Sequence, residues 1–166
     1  MRVTAPILIF GWGNLSRGDD AIGPMFVQQL RILAASNVGV SIELLEDYQL
    51  QIEHALDLAE REHVLFVDAS VSCEAPFEVT ALRAVRDATF TTHAVSPQSV
   101  MQVYADLYGA VPPPCTLLAI RGMRFELGEP PGDSALAHME QALTWMRSWL
   151  EDKCVSQCIE VEVAHA

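Results

Sequence analysis

Apolar and polar residues fall into blocks along the chain that read alternately as strand and helix. Residues 5–10 (Ala-Pro-Ile-Leu-Ile-Phe) are a continuous apolar run ending at Gly11, the pattern of a strand buried on both faces. Beyond the loop 11–18, Ile22, Met25, Phe26, Leu30 and Leu33 recur at helical spacing and define one apolar face. Residues 40–46 predict a second strand, and 50–60 a short helix with Ile52, Leu56 and Ala59 inward. Val64-Leu65-Phe66-Val67 predicts a third buried strand closing at Asp68. The run 77–82 follows after too little chain for a parallel crossover, so it is expected to pair antiparallel at an edge. A helix at 96–108 carries Val100, Val103, Tyr104 and Leu107, and a fifth strand at 116–121 follows Pro112-Pro113-Pro114. The last helix, 133–150, repeats Leu136, Met139, Leu143, Met146 and Leu150, with Trp145 and Trp149 in its final turns.

This order predicts an α/β fold: a single three-layer α/β/α domain on a twisted, mostly parallel five-stranded sheet with one antiparallel edge strand. The domain is expected over residues 1–150, with 151–166 as a peripheral C-terminal tail. In open sheets of this kind, sites form outside the carboxyl ends of the parallel strands. Here those ends lead into Gly11–Asp20, Glu46-Asp47 and Asp68, so carboxylates gather where a ligand would sit.

Composition narrows the partners. With 51% apolar and 19% charged residues the chain is no disordered segment. A formal charge of −12 and a pI near 4.6 oppose nucleic acid or an anionic membrane and suit a soluble cytoplasmic protein or one that handles cations. Residues 1–10 read as a first strand and not as a signal peptide, and no stretch reaches the ~20 apolar residues of a membrane span. Cys73, Cys115, Cys154 and Cys158 lack a disulfide-scaffold spacing and are expected to be ordinary reduced thiols.

Gly11-Trp12-Gly13-Asn14 first suggests a dinucleotide loop, but Ser16 replaces the third glycine and the loop ends in Gly18-Asp19-Asp20. Two carboxylates there oppose a pyrophosphate, and the single lysine, Lys153, is remote from any phosphate loop. The acid pair has an ordinary reading, one residue capping the helix and the other favouring its dipole. Asp68 reads equally as a turn residue held by backbone N–H groups, and His93, just before a helix, as structural or exposed. Taken together, two carboxylates and an imidazole make a three-ligand set suited to nickel or zinc, with positions left open.

The segment Gly11-Trp12-Gly13-Asn14-Leu15-Ser16-Arg17-Gly18-Asp19-Asp20-Ala21-Ile22-Gly23-Pro24 resembles the opening signature of the hydrogenase maturation proteases. Val67-Asp68-Ala69 and Thr91-Thr92-His93 fall where that family has its second acid and its histidine, and the likeness spans residues 5–145. The resemblance implies a peptidase that makes one cut, removing a C-terminal extension from the large-subunit precursor of a nickel-iron hydrogenase after nickel insertion. It implies that Asp20, Asp68 and His93 are the catalytic and nickel-contacting residues, with Asp19 supporting the loop. Nickel would be contacted through the substrate, with no tightly bound organic cofactor, and the enzyme would be a monomer. The stretches 46–54 and 121–128 resemble the branch serving soluble, NAD-reducing hydrogenases.

Two other functions meet parts of the pattern. A phosphorelay receiver also has acids after its first and third strands, but here the acid pair begins eight residues past Gly11 and no lysine lies near strand five. A non-enzymatic nickel scaffold for hydrogenase assembly would use the same ligands without cutting. Within the site, the two carboxylates have an alternative structural role, paired through water or with Arg17.

Overall fold

The computed structural model describes residues 3–34, 41–86 and 95–164, those of 154–164 by their backbone alone. Strands β1 (Ile7–Trp12), β2 (Ile42–Asp47), β3 (His63–Ser70), β4 (Phe77–Ala81) and β5 (Cys115–Arg121) form one sheet in the order β2-β1-β3-β5-β4. All neighbours are parallel except β4, which runs antiparallel to β5 at the edge, as its short connection to β3 requires. The expected fold class is therefore the observed one.

Side-chain alternation splits the core into two layers. On one face Ile7, Ile9, Leu65, Val67, Leu118 and Ile120 pack against α1 (Ile22–Ala34) and α3 (Asp133–Ala164). On the other, Leu8, Phe10, Val64 and Phe66 pack against α2 (Pro97–Tyr108) and a 3-10 helix, Ile52–Leu58. The connections change faces between β1 and β3, which makes the carboxyl ends of those two strands the topological switch point.

The start of α2 is fixed locally. Ser96 caps it by accepting from the Ser99 N–H at 3.1 Å, and Pro97 occupies its first position. Leu107, expected on the inner face, is exposed, while Met101 is buried in its stead. The helix expected over 133–150 runs on to Ala164, into the stretch set apart above as a tail.

Two sequence readings change. Residues 52–58 are a 3-10 helix, and its buried residues are His54, Ala55 and Leu58, while Ile52 and Leu56 face solvent. Three residues per turn stack Ala55 on Leu58, and a capping box between Gln51 and His54 turns the imidazole inward. The third strand does not close at Asp68 but continues to Ser70, with Asp68 paired to Ala119 of β5.

Candidate active site

The loop after β1 is built around close backbone approaches. Gly13 adopts φ 150° and packs under the Asp20 carbonyl, where an added Cβ would collide with that oxygen. Gly18 adopts φ 54° and lies against the Arg124 carbonyl, again with no room for a side chain. A 3-10 turn, Gly18–Ala21, then leads into α1 and carries the two adjacent aspartates.

Neither aspartate caps the helix. Asp19 is 1% exposed and accepts three backbone N–H bonds from the β5–α3 loop. Its Oδ2 receives Met123 N at 2.7 Å and Arg124 N at 3.0 Å, and its Oδ1 receives Gly132 N at 2.7 Å. Burial pushes the carboxyl pKa up, but these bonds and the Arg124 charge outweigh it and hold the group below its ordinary value. The Asp19 N–H donates back to Arg124 O at 2.7 Å, and Gly128 N donates to Ser16 O at 2.7 Å. Hydrogen bonds in both directions thus tie the two loops together. Arg17 pairs with neither acid, because its Nε donates to Phe125 O at 2.9 Å.

Asp20 points the other way. Its Oδ2 accepts from the Asn14 N–H at 2.8 Å, and its negative charge is felt by Asp68. Asp68 lies on the same face of β3 as Phe66, two residues earlier. The register Gly11↔Val67 brings Trp12 level with it. Trp12 and Phe66 meet edge to face, with ring centroids 5.9 Å apart. Desolvation there, with the Asp20 charge added, pushes the Asp68 pKa up to about 7, against a partial lowering by the Ala69 N–H.

Asp20 and Asp68 thus lie near enough to each other at the switch point for the Asp20 charge to act on Asp68. His93 lies outside the described residues. Among the described residues no group of three or more His, Cys, Asp and Glu is gathered tightly enough to hold a metal ion.

The Glu46-Asp47 strand end gains a partner that was not singled out from sequence, His54. Asp47 Oδ2 lies 3.1 Å from His54 Nε2, while His54 Nδ1 accepts from Gln51 N at 2.8 Å. That bond places the ring proton on Nε2, facing Asp47. The imidazole also packs on Phe10, centroid to centroid 4.6 Å. The three-residue spacing of Gln51 and His54 was the available signal. Beside this cluster opens a cavity of about 440 Å³ lined by residues 13–16 and 46–48 together with Pro24.

No family model matches the chain, and no curated protein matches its sequence significantly. Solved structures do share its fold. A nickel-iron hydrogenase maturation protease, HycI of Thermococcus kodakarensis, is 21% identical with a TM-score of 0.68, covering 89% of this chain and 93% of its own. The hydrogenase maturating endopeptidase HybD of E. coli is 24% identical at the same TM-score of 0.68, with the same coverage of 89% and 93%. A hydrogenase 2 maturation peptidase from a Thaumarchaeota archaeon is 20% identical with a TM-score of 0.61, over 87% of this chain and 97% of its own. At these identities the likeness is one of fold.

Proposed function

We propose that this chain is an endopeptidase that removes the C-terminal extension of a nickel-iron hydrogenase large-subunit precursor once nickel has been inserted. The observation that carries this is the Asp20–Asp68 pair, set at the switch point of a fold shared with hydrogenase maturation proteases. Asp20, Asp68 and His93 are the residues assigned to the substrate-held nickel. His93 precedes the Ser96 cap of α2, and α2 packs on the same sheet face that carries Asp68.

The acid pair supplies a rationale for metal licensing. Without a cation, burial and the Asp20 charge both oppose ionising the Asp68 carboxyl and push its pKa up to about 7. A cation delivered by the substrate neutralises that repulsion and displaces the proton. A nickel-free precursor brings no such compensation. The docked metal would polarise the scissile carbonyl or a water, with one carboxylate as general base.

The segments 46–54 and 121–128 support assignment to the branch serving soluble, NAD-reducing hydrogenases, acting in the cytoplasm as a monomer. Among the described residues no helix is long and apolar enough to cross a membrane. The test is a mass measurement after incubation with nickel-loaded and nickel-free precursor. One C-terminal truncation confined to the nickel-loaded sample is expected. Tight nickel binding by the isolated chain with no truncation would replace the peptidase with a nickel scaffold.

A further inference from the structure

Arg17 has no part in the chemistry assigned above, yet its side chain is held in place. Its Nε donates to Phe125 O at 2.9 Å, so the guanidinium lies across the β5–α3 loop. Among the described residues, neither terminal nitrogen makes a hydrogen bond and no carboxylate pairs with the group. Arg31, Arg61 and Arg86, by contrast, each meet a carboxylate. In a chain of formal charge −12, this anchored fork faces solvent with two donors to spare.

The loop beneath it is equally fixed. Asp19 holds Met123 N and Arg124 N, Gly18 N donates to Glu129 O at 2.9 Å, and Gly128 N donates to Ser16 O at 2.7 Å. Phe125 turns its ring inward against Gly122, where an added Cβ would stand 2.9 Å from the ring's Cζ. Met123 and Leu127, two residues to either side of Phe125, are instead 69% and 76% exposed. Leu15, beside the bonded Ser16, is exposed as well. One exposed apolar residue calls for no explanation. Here three lie on two stapled loops around one anchored guanidinium, and apolar side chains with arginine are the makings of an interface centre. Loops ordered in advance also lose little entropy when a partner docks.

The occupant follows from this chemistry. Nucleic acid is opposed by the net charge, by Asp20, and by Glu126 and Glu129 of the same loop. A small free anion would gain one ion pair in open solvent, which is worth little. A polypeptide segment with an aspartate or glutamate between apolar residues uses every feature. Its carboxylate takes both terminal nitrogens side by side, while its neighbours cover Met123 and Leu127 and shut water out of the pair. Arg17 stands three residues before Asp20, which puts a segment docked there at the rim of the acid pair.

We propose that Arg17, Met123 and Leu127 form a docking site for an acidic residue flanked by apolar ones in the polypeptide substrate. This rests on the endopeptidase reading.

The test reads binding apart from cleavage. Fluorescent peptides covering the C-terminal region of the precursor are titrated against the full chain, with each aspartate and glutamate replaced in turn by its amide. One replacement should weaken binding to the wild type about tenfold, the scale of a charge-assisted hydrogen bond. Arg17→Gln should lose as much for the parent peptide and nothing further for that replacement. Leu127→Ser, at an exposed position, should weaken all the peptides alike. Wild-type binding that no acidic replacement weakens overturns the proposal, whether or not Arg17→Gln folds. So do losses that add independently, unchanged binding by Leu127→Ser, or no binding by the wild type. A wild type that binds in the expected pattern but never cuts the nickel-loaded precursor refutes the endopeptidase reading and leaves the docking site standing. Cutting with a KM that Arg17→Gln does not move does the reverse.

Discussion

Replacing Asp68 by asparagine should stabilise the free protein, and more so as the pH rises. Burial, with the Asp20 charge nearby, lifts the Asp68 pKa from 3.8 to about 7 in the folded state. In the unfolded chain the group returns to its ordinary value. The folded state thus holds its proton more tightly, so stability falls as pH rises from about 4 to about 7, and the full penalty stays in force above that. At about 1.36 kcal/mol per pKa unit, the gap costs about 4 kcal/mol at pH 8 and under about 2 kcal/mol at pH 5. Asparagine keeps the shape and cannot ionise. The variant should therefore gain about 4 kcal/mol at pH 8, or about 8–16 °C in melting temperature for a chain of this size, and less than half of that at pH 5. The assay is urea denaturation of both proteins at the two pH values, with a chelator present to keep metal ions off the acids. A gain that does not change with pH would mean that some contact other than the ionisation is responsible. A less stable variant at pH 8 would refute the buried-acid reasoning outright. The same variant should process no nickel-loaded precursor, because its stabilising change removes an assigned nickel contact.

Asp20→Asn removes the charge beside Asp68, so the Asp68 carboxyl should titrate lower than in the wild type by carbon-13 NMR, and an unmoved titration would show the two acids to be uncoupled. Asp19→Asn turns an amide NH2 toward backbone N–H donors at 2.7–3.0 Å and should destabilise by about 2–4 kcal/mol at pH 7. Because the Asp19 pKa is lowered in the fold, its contribution is present above the unfolded value of 3.8 and is lost as pH falls through the folded one. Urea melts should therefore show the gap closing toward pH 3, and a gap that persists there would be steric in origin. Gly18→Ala places a Cβ at φ 54° into the Arg124 carbonyl and should cost more than about 1 kcal/mol while leaving Gly109→Ala, with no neighbour in the way, the milder change in the same melts.

How legible each feature was depends on how local its cause is. The buried strands, the cap at Ser96-Pro97 and the antiparallel edge strand are set by runs of a few residues or by the length of one connection, and the sequence pattern exposes them. The 3-10 helix was misread because its apolar residues fit either period, and the bond between His54 and Gln51 chose between them. Asp20 and Asp68 were legible because parallel strands deliver their carboxyl ends to one edge whatever the details of packing. Asp19 was only partly so, since the family resemblance gave it a supporting role but not its partners. Helix physics offered it a cap or a dipole role, whereas its donors come from Met123, Arg124 and Gly132, in a loop more than a hundred residues away. That difference divides the labour between two acids, Asp19 and Asp68. Asp19 has three N–H donors and is held ionised, so it can clamp two loops together. Asp68, largely buried with one N–H donor and an acid for a neighbour, has its pKa pushed up to about 7. The clamp is therefore insensitive to pH in the range where Asp68 titrates.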